Sequence, residues 1–445
     1  MNILYLNTHD TGRFIEPYGY AVPTPNLTAL AKEGVLFRNA HCAAPTCSPS
    51  RAGLLTGRMP HSNGMWGLTH RGFSLFDPSE HLAAFLERRG FESVLCGIQH
   101  ESEDPKTLGY SKILDDQDYS MGKCDRDWRE FDVGNARRVS DFFREKHDKP
   151  FFLSFGMFNT HRRFPEPSDR MDVNGVLPPF PICDNPENRR DMAAFIESAG
   201  IVDECVGMVM RALKESGLDR ETVVVFTTDH GIAFPEMKGT LYDTGTGVSL
   251  MLRYPDGRLA GTVRDEPASH LDMFPTLCDI AGIEKPDGLH GMSLAAALEG
   301  GEWPRNAVYA ETSFHVAYEP QRCVRTREYK YIRRFGSHVR GVPSNVDDCP
   351  DKKRRLDGGY YRRNRDMEAL FDVLNDPMER VNLADDPDFL TIRNDLSALL
   401  DDWMRGTDDP LLRGAMIPPD GALVNYPDSP SPAEKVFIRN WAELE

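Results

Sequence analysis

The stretch CSPSRAGLLTGR, residues 47–58, is the most informative part of this chain. Ser48 is typical of a helix N-cap and Gly57 of a helix C-terminus, so a helix of about two turns is predicted between them. Cys47 would then lie at the helix N-terminus, where free backbone N–H groups and the helix dipole favour negative charge. Arg51 offers a planar fork that suits a tetrahedral oxyanion such as sulfate or phosphate.

Two simpler interpretations of Cys47 stay open. A cysteine at a helix N-terminus could be a thiolate with a lowered pKa. It could also be a buried cysteine at the start of an ordinary helix, although that interpretation leaves Pro49 and Arg51 without an explanation.

Composition narrows the class of protein. The 445 residues, 40% hydrophobic and 27% charged, are typical of a large globular enzyme. A net charge of −17 argues against a nucleic-acid partner, and no apolar run approaches the roughly 20 residues that span a bilayer, so no membrane partner is expected. The chain opens on a predicted strand rather than a signal peptide, and its nine cysteines have no regular spacing. Both features predict a cytoplasmic protein.

Apolar strand candidates alternate with amphipathic helices, which predicts an α/β fold with a large, mainly parallel sheet sandwiched by helices. The strand candidates are residues 2–7, 92–98, 150–157, 222–228 and 247–252. The helix candidates are residues 25–33, 79–89, 130–146, 188–216 and 270–281.

A Gly- and Pro-containing stretch at 300–304 marks a predicted boundary between a catalytic domain, residues 1–304, and a smaller C-terminal α+β subdomain, residues 305–445. The subdomain is expected to carry an antiparallel sheet, with a hairpin at 324–334, a long helix at 386–403 and an irregular surface tail after Thr407.

Residues 325–365 reverse the overall charge, with 13 Lys and Arg against 5 Asp and Glu. This basic segment is either the solvated surface of a small sheet and its loops, or a basic wall that collects an anionic substrate. The sequence leaves both interpretations open.

Four candidate strands are followed by histidine or aspartate. Ligands of open α/β sheets bind outside the carboxyl ends of the strands, so these side chains are expected at one rim. In chain order they are His9 and Asp10, Gln99 and His100, His161, and Asp229 and His230. The helix that begins near Cys47 could cover the same rim, and a shared polar site is therefore predicted.

These motifs together resemble the type I sulfatase family of the alkaline phosphatase superfamily, essentially from end to end. The likeness rests on Cys-x-Pro-x-Arg and Thr-Gly-Arg within residues 47–58, on Asp-His-Gly at 229–231, and on Lys238, His161 and His100. Within the family, residues 61–68, 370–372 and 376–377 resemble the heparan N-sulfatase branch.

The resemblance implies that a maturation enzyme oxidises Cys47 to formylglycine, whose hydrate is the nucleophile. It implies that Arg51 and Lys238 neutralise the sulfate group, that His161 assists the leaving atom and that His100 accepts a proton. One divalent metal ion is implied as well. Its expected ligands are His9, Asp10, residue 47, Asp229 and His230.

The chain departs from the family pattern in two places. His9 replaces the first of two aspartates and His230 replaces the more usual asparagine, so calcium is expected by resemblance, with manganese or magnesium as alternatives. Ile98 replaces a lysine, and Gln99 or a residue of the basic segment is a candidate to compensate for its charge.

The predicted activity is hydrolysis of a sulfate ester or sulfamate at the end of a small sulfated saccharide. Candidate substrate-binding residues are Trp66, His70, His315 and Arg322. The alternatives are a phosphonate monoester or phosphodiester hydrolase, and a non-enzymatic anion-binding protein. Whether the chain forms a homo-oligomer is left open.

Overall fold

An eight-stranded sheet forms the centre of the molecule. In the computed structural model, which describes residues 1–115 and 126–439, its strand order is β5-β4-β6-β1-β7-β8-β2-β9. All neighbouring pairs are parallel except those that β8 makes with β7 and β2. The predicted mainly parallel α/β sheet is confirmed.

The strands are β1 (Asn2–Thr8), β2 (Val35–Phe37), β3 (Ala40–His41), β4 (Glu92–Gly97), β5 (Lys112–Ile113), β6 (Phe151–Gly156), β7 (Thr222–Thr228), β8 (Leu250–Arg253), β9 (Thr262–Arg264), β10 (Ala268–Ser269), β11 (Ala307–Phe314), β12 (Tyr318–Thr326), β13 (Tyr329–Arg334) and β14 (Glu368–Asp372). The helices are α1 (Pro25–Glu33), α2 (Cys47–Thr56), α3 (Pro60–Asn63), α4 (Leu82–Glu87), α5 (Trp128–Phe142), α6 (Pro186–Glu215), α7 (Asp243–Thr246), α8 (Met273–Ala281), α9 (Ala295–Leu298), α10 (Pro350–Asp357) and α11 (Leu390–Gly406).

Helices cover both faces of the large sheet, because alternate residues of its central strands point to opposite sides. Leu4 and Leu6 of β1 belong to the core that the sheet forms with α1, α5 and α6. Ile3 and Tyr5 belong to the core on the other face, which includes residues of α2, α4 and α8. The second core also contains Phe314 from the C-terminal sheet. The division at 304/305 stays a prediction.

The C-terminal sheet is antiparallel, as predicted, with the order β11-β12-β13-β14. Arg327 and Glu328 form the predicted turn between β12 and β13. One face of the sheet packs on α11 and the other on Leu241. The predicted long helix begins later than expected, because residues 387–389 form a 3-10 turn before α11.

The start of α2 differs from the prediction. Thr46, rather than Ser48, is the N-cap, so Cys47 is the first residue inside the helix. Ser48 Oγ instead accepts a hydrogen bond from Thr69 N at 3.1 Å. Pro49 remains in the first turn, where its missing N–H leaves no helical bond unmade.

The irregular tail is more than a surface wrapping. Met416, Val424 and Ile438 are buried in the same core as the large sheet. Asn425 forms isolated bridges with Ala317 and Phe437. The end of the predicted tail, residues 440–445, lies outside the described residues. No helix within residues 1–115 and 126–439 has the length and apolar content to cross a bilayer.

The structure contradicts the interpretation of the basic segment, residues 325–365, as a basic wall. Carboxylates from other parts of the chain pair with much of it: Lys330 with Asp243 and Glu379, Arg333 with Asp401, Arg340 with Asp428, and Arg365 with Glu236 and Glu319. The local excess of positive charge seen in the sequence is largely neutralised by folding.

The prediction that Arg322 binds substrate is contradicted, because its buried guanidinium is already paired with groups of the protein itself. Nε lies 2.5 Å and Nη2 3.0 Å from the Asp409 carboxylate, while Nη1 donates to the carbonyl oxygens of Thr312 and Gln321. The guanidinium therefore ties β12 to the segment that follows α11 rather than facing a ligand.

Replacing this arginine should reduce stability. In Arg322→Ala the Asp409 carboxylate would stay buried without its cation, which costs about 3 kcal/mol or more. The free energy of unfolding measured in urea should fall by that amount. Arg327→Ala, which removes an exposed arginine at the tip of the same hairpin, should leave it within about 0.5 kcal/mol of wild type. Equal stability of the two variants would contradict the structural role of the Arg322–Asp409 pair.

Candidate active site

The ends of β1 and β7 and the start of α2 meet at one rim of the large sheet. His9 and Asp10 follow β1, and Asp229 and His230 follow β7. Asp10 takes a left-handed backbone conformation with φ 49°, and its N–H donates to Asp229 Oδ1 at 2.8 Å. The structure therefore brings together the two His and Asp pairs that the strand ends predicted.

Cys47 lies against these pairs. His230 Nε2 is 3.4 Å from Cys47 Sγ and 3.4 Å from Asp10 Oδ1. His9 Nδ1 is 3.1 Å from Asp229 Oδ2. One ligand-type atom from each of four buried residues lies within 4.8 Å of the others. The four are His9, Asp10, Cys47 and Asp229.

The polar atoms of this cluster suit a bound cation. His9 Nε2 and Asp10 Oδ1 are buried and make no hydrogen bond within the part of the chain that the structure describes. Leaving such atoms unpaired is costly, and a metal ion would satisfy them. Imidazole and carboxylate donors together fit a divalent cation.

Burial sets the protonation of Cys47 and His9. Desolvation raises the pKa of the Cys47 thiol far above its usual range, more than Lys238 lowers it. Burial therefore argues against the interpretation of Cys47 as a thiolate with a lowered pKa. Burial and the Arg51 charge lower the pKa of His9 to about 3, so its imidazole is neutral at pH 7 and able to bind a metal.

Arg51 is held rigidly behind the cluster. Nη2 donates to Thr8 O at 2.9 Å and to Asp229 Oδ2 at 3.1 Å, and Nη1 donates to Asn7 Oδ1. Its Nε has no partner among the described residues. The guanidinium therefore fixes the Asp229 carboxylate and places a permanent positive charge beside Cys47.

Lys238 lies between two carboxylates. Its Nζ is 2.8 Å from Asp10 Oδ2, 3.0 Å from Asp347 Oδ2 and 3.5 Å from His161 Nε2. Burial opposes the charge on Lys238, but Asp10 and Asp347 outweigh it and raise the lysine pKa well above its usual value. The ammonium is therefore fully charged at pH 7.

Asp347 is a site residue that the sequence analysis missed. Burial opposes ionisation, but the positive charge of Lys238 is the main cause that outweighs it, and the pKa of Asp347 is held well below its usual range. The one signal in the sequence was the pair Asp347-Asp348, which interrupts an otherwise basic segment.

Two stacked histidines border the cluster. The His70 and His100 rings are parallel, with centroids 5.4 Å apart, and His70 Nδ1 is 3.2 Å from His100 Nε2. Burial lowers the pKa of His70 to about 4 and that of His100 well below its usual value. Both imidazoles are thus neutral at pH 7, so either could accept a proton.

The loop that carries His161 is held by Asp132, a second residue of the site that the sequence did not predict. The Asp132 carboxylate of α5 accepts hydrogen bonds from Phe158 N and Asn159 N, both at 2.9 Å. Burial raises the pKa of Asp132 to about 7, and the hydrogen bonds from Asn159 and Phe158 lower it less. Nothing in the sequence near Asp132 pointed to this contact.

Gln99 does not replace the missing lysine charge. Its Oε1 accepts from the backbone N–H groups of Glu101 and Ser102, at 2.8 and 3.0 Å, and its Nε2 donates to Ser102 O. The amide therefore closes its own loop. Ile98 is buried, which explains why an apolar residue is tolerated there.

The remaining predicted substrate-binding residues have different surroundings. His315 is buried, and the positive charge of Lys238 adds to desolvation in lowering its pKa. Trp66 packs edge-on against Phe76, and its carbonyl accepts from Phe314 N at 3.1 Å. His315 thus joins the surroundings of Lys238, whereas Trp66 borders the C-terminal sheet.

Comparison with known proteins agrees with this geometry. The sulfatase family matches residues 2–283, and the C-terminal region of N-sulphoglucosamine sulphohydrolase matches residues 234–340. N-sulphoglucosamine sulphohydrolase of Homo sapiens is 30% identical in an alignment 466 residues long, gaps included, that covers 91% of this chain and 88% of the relative. Delta 4,5-hexuronate-2-O-sulfatase of Bacteroides thetaiotaomicron is 26% identical, covering 97% of this chain and 95% of the relative.

The solved structure of phosphonate monoester hydrolase of Agrobacterium radiobacter has the same fold, with a TM-score of 0.72 at 22% identity over 91% of this chain and 96% of that chain. The predicted resemblance to the heparan N-sulfatase branch is confirmed by the human relative and by the match at residues 234–340. Because the family match spans more than half of the sequence, the chain belongs to the sulfatase family.

Proposed function

We propose that this chain hydrolyses sulfate esters or sulfamates at the end of a small sulfated saccharide. The observation that carries the proposal is the position of Cys47. It begins α2 with Sγ 3.4 Å from His230 Nε2, beside the buried His9, Asp10 and Asp229 side chains. The relative that acts on a sulfated amino sugar by name supports a saccharide as substrate.

Two groups complete the proposed site. A divalent cation held by His9, Asp10, residue 47, Asp229 and His230 would neutralise the charge of the sulfate group. Formylglycine, made from Cys47 by a maturation enzyme, would supply the attacking oxygen through its hydrated aldehyde. Calcium is expected from the family resemblance, with manganese and magnesium as alternatives. The cytoplasmic location inferred from the sequence also stays a prediction.

The buried side chains of Arg51 and Lys238 would lower the activation barrier of hydrolysis through their positive charge. A sulfate group repels nucleophiles because of its negative charge, and Arg51 and Lys238 provide two buried positive charges against it. Both are already oriented by carboxylates, Arg51 by Asp229 and Lys238 by Asp10. Charges that need no rearrangement during the reaction stabilise the transition state most effectively.

Two histidines are placed to move protons. Nε2 of His161 is 3.5 Å from Lys238 Nζ, which would put it beside the leaving oxygen or nitrogen. The His100 ring also borders the cluster, with its centroid 5.9 Å from that of His9. Because burial keeps His100 neutral, it can accept the proton released at residue 47.

A substrate panel tests the reaction class. Turnover of an N-sulfated sugar, an O-sulfated sugar, an aryl sulfate and an aryl phosphodiester should be measured on one preparation. We expect kcat/KM to be at least about tenfold higher for a sulfated compound than for the phosphodiester, because the transition-state charge differs. The opposite order would identify the phosphonate monoester or phosphodiester hydrolase alternative. Sulfate binding without any turnover would identify the anion-binding alternative.

The nucleophile has its own test. Cys47→Ala should reduce kcat by about a thousandfold or more while the protein folds normally, because the side chain supplies the attacking group. Peptide mass spectrometry of the wild type should show residue 47 converted to formylglycine. Cys183→Ala, at a half-exposed cysteine, should retain wild-type activity. Activity of Cys47→Ala within tenfold of wild type would contradict the proposal.

Metal content can be measured apart from turnover. We expect the purified protein to hold one divalent ion, detected by elemental analysis, and Asp229→Ala to lose it together with activity. Asp203→Ala is the matched control, since Asp203 is a buried carboxylate that accepts a hydrogen bond from Leu27 N at 2.8 Å. A full metal complement in Asp229→Ala would rule out the assigned ligand set.

A further inference from the structure

Asp347 is a charged group that the proposed mechanism leaves without a role. It is the outer member of a row in which Asp10, Lys238 and Asp347 alternate in charge, with contacts of 2.8 and 3.0 Å. Asp10 already pairs with the Lys238 ammonium and is also a proposed metal ligand, whereas Asp347 lies outside the proposed ligand set. A second carboxylate therefore adds negative charge to a site that is proposed to bind an anion, and this calls for an explanation.

Exposure shows which side of the site Asp347 faces. The side chains of Asp10 and Lys238 are 0% and 4% exposed, whereas those of His161 and Asp347 are 18% and 22% exposed. Cys47 belongs to the buried part of the cluster, together with Asp10 and Lys238. In an in-line displacement the leaving group departs on the side opposite the nucleophile. It would therefore leave toward His161 and Asp347.

The two candidate leaving groups differ in charge. In sulfamate hydrolysis the S–N bond breaks, its electron pair stays on nitrogen, and a water oxygen bonds to sulfur. R–NH–SO3⁻ and H2O become R–NH3⁺ and SO4²⁻. A sulfate ester instead releases a neutral alcohol, with SO4²⁻ and H⁺. A fixed carboxylate favours the ammonium, since unlike charges attract, and offers an alcohol no such gain.

We propose that Asp347 is a specificity-determining residue that receives the nitrogen of a sulfamate leaving group and so favours N-sulfated amino sugars over O-sulfated sugars. This inference rests on the proposed function. Lys238 Nζ lies 3.0 Å from Asp347 Oδ2 and 3.5 Å from His161 Nε2, so the group that would protonate the leaving atom and the group that would stabilise the resulting cation lie together.

The test compares Asp347→Asn with Asp348→Asn. Asp348 is the adjacent carboxylate, but it is 56% exposed and pairs with Lys352 Nζ at 2.7 Å, away from Lys238. For glucosamine N-sulfate, Asp347→Asn should lower kcat/KM about tenfold or more, and for glucosamine 6-O-sulfate with its amine acetylated the change should stay within about threefold. Asp348→Asn should leave the ratio of the two unchanged.

Equal losses of Asp347→Asn on both substrates would show that Asp347 only orients Lys238, and no loss on either would remove it from the leaving-group path. Both results overturn the proposal.

A binding measurement, which needs no turnover, tests the role of Asp347 independently of the proposed function. Calorimetry with excess sulfate should show that wild type binds glucosamine at least about tenfold tighter than N-acetylglucosamine, and that Asp347→Asn loses this preference. Equal binding of the two sugars by wild type would also overturn it.

Discussion

The arrangement of the site depends on the contacts that the Asp229 carboxylate makes. Its Oδ2 lies 3.1 Å from both Arg51 Nη2 and His9 Nδ1, and its Oδ1 accepts the N–H groups of Asp10 and His230 at 2.8 and 2.9 Å. One side chain thereby fixes the end of β1, the end of β7 and helix α2. Burial opposes ionisation of Asp229, but its interactions with His230, Arg51 and His9 outweigh burial and hold the pKa of the carboxyl well below its usual range. Removing this carboxylate would leave Arg51 buried and partly unpaired.

The strand-end rule explains why much of the site could be predicted. Parallel strands bring their carboxyl ends to one edge, so a histidine or aspartate after β1, β6 or β7 had to lie near the others. The local pattern at residues 47–58 predicted α2, although the N-cap is Thr46, two residues before the expected Ser48. These inferences needed only local sequence and a known direction of the strands.

Contacts made across the fold could not be predicted in this way. Arg322 lies just before the basic segment and was predicted to bind substrate, but its partner Asp409 is distant in the sequence, so the pairing forms only on folding. Asp132 and Asp347 also act on loops far from them in the chain. A charge count along a sequence records net charge, whereas the field at a site depends on which charges folding brings together.

The C-terminal part of the chain completes the rim of the large sheet. Asp347 reaches Lys238 from the segment before α10, while Arg355 and Arg365 of the same region lie 3.9 and 3.4 Å from Glu236, two residues before Lys238. The lysine therefore takes its orientation partly from elements that the sheet does not contain. Under the proposed function, changes in this segment would alter how Lys238 meets a leaving group without disturbing Cys47, Arg51 or Asp229. Such an arrangement would separate the proposed catalytic residues from the residue proposed to select among substrates.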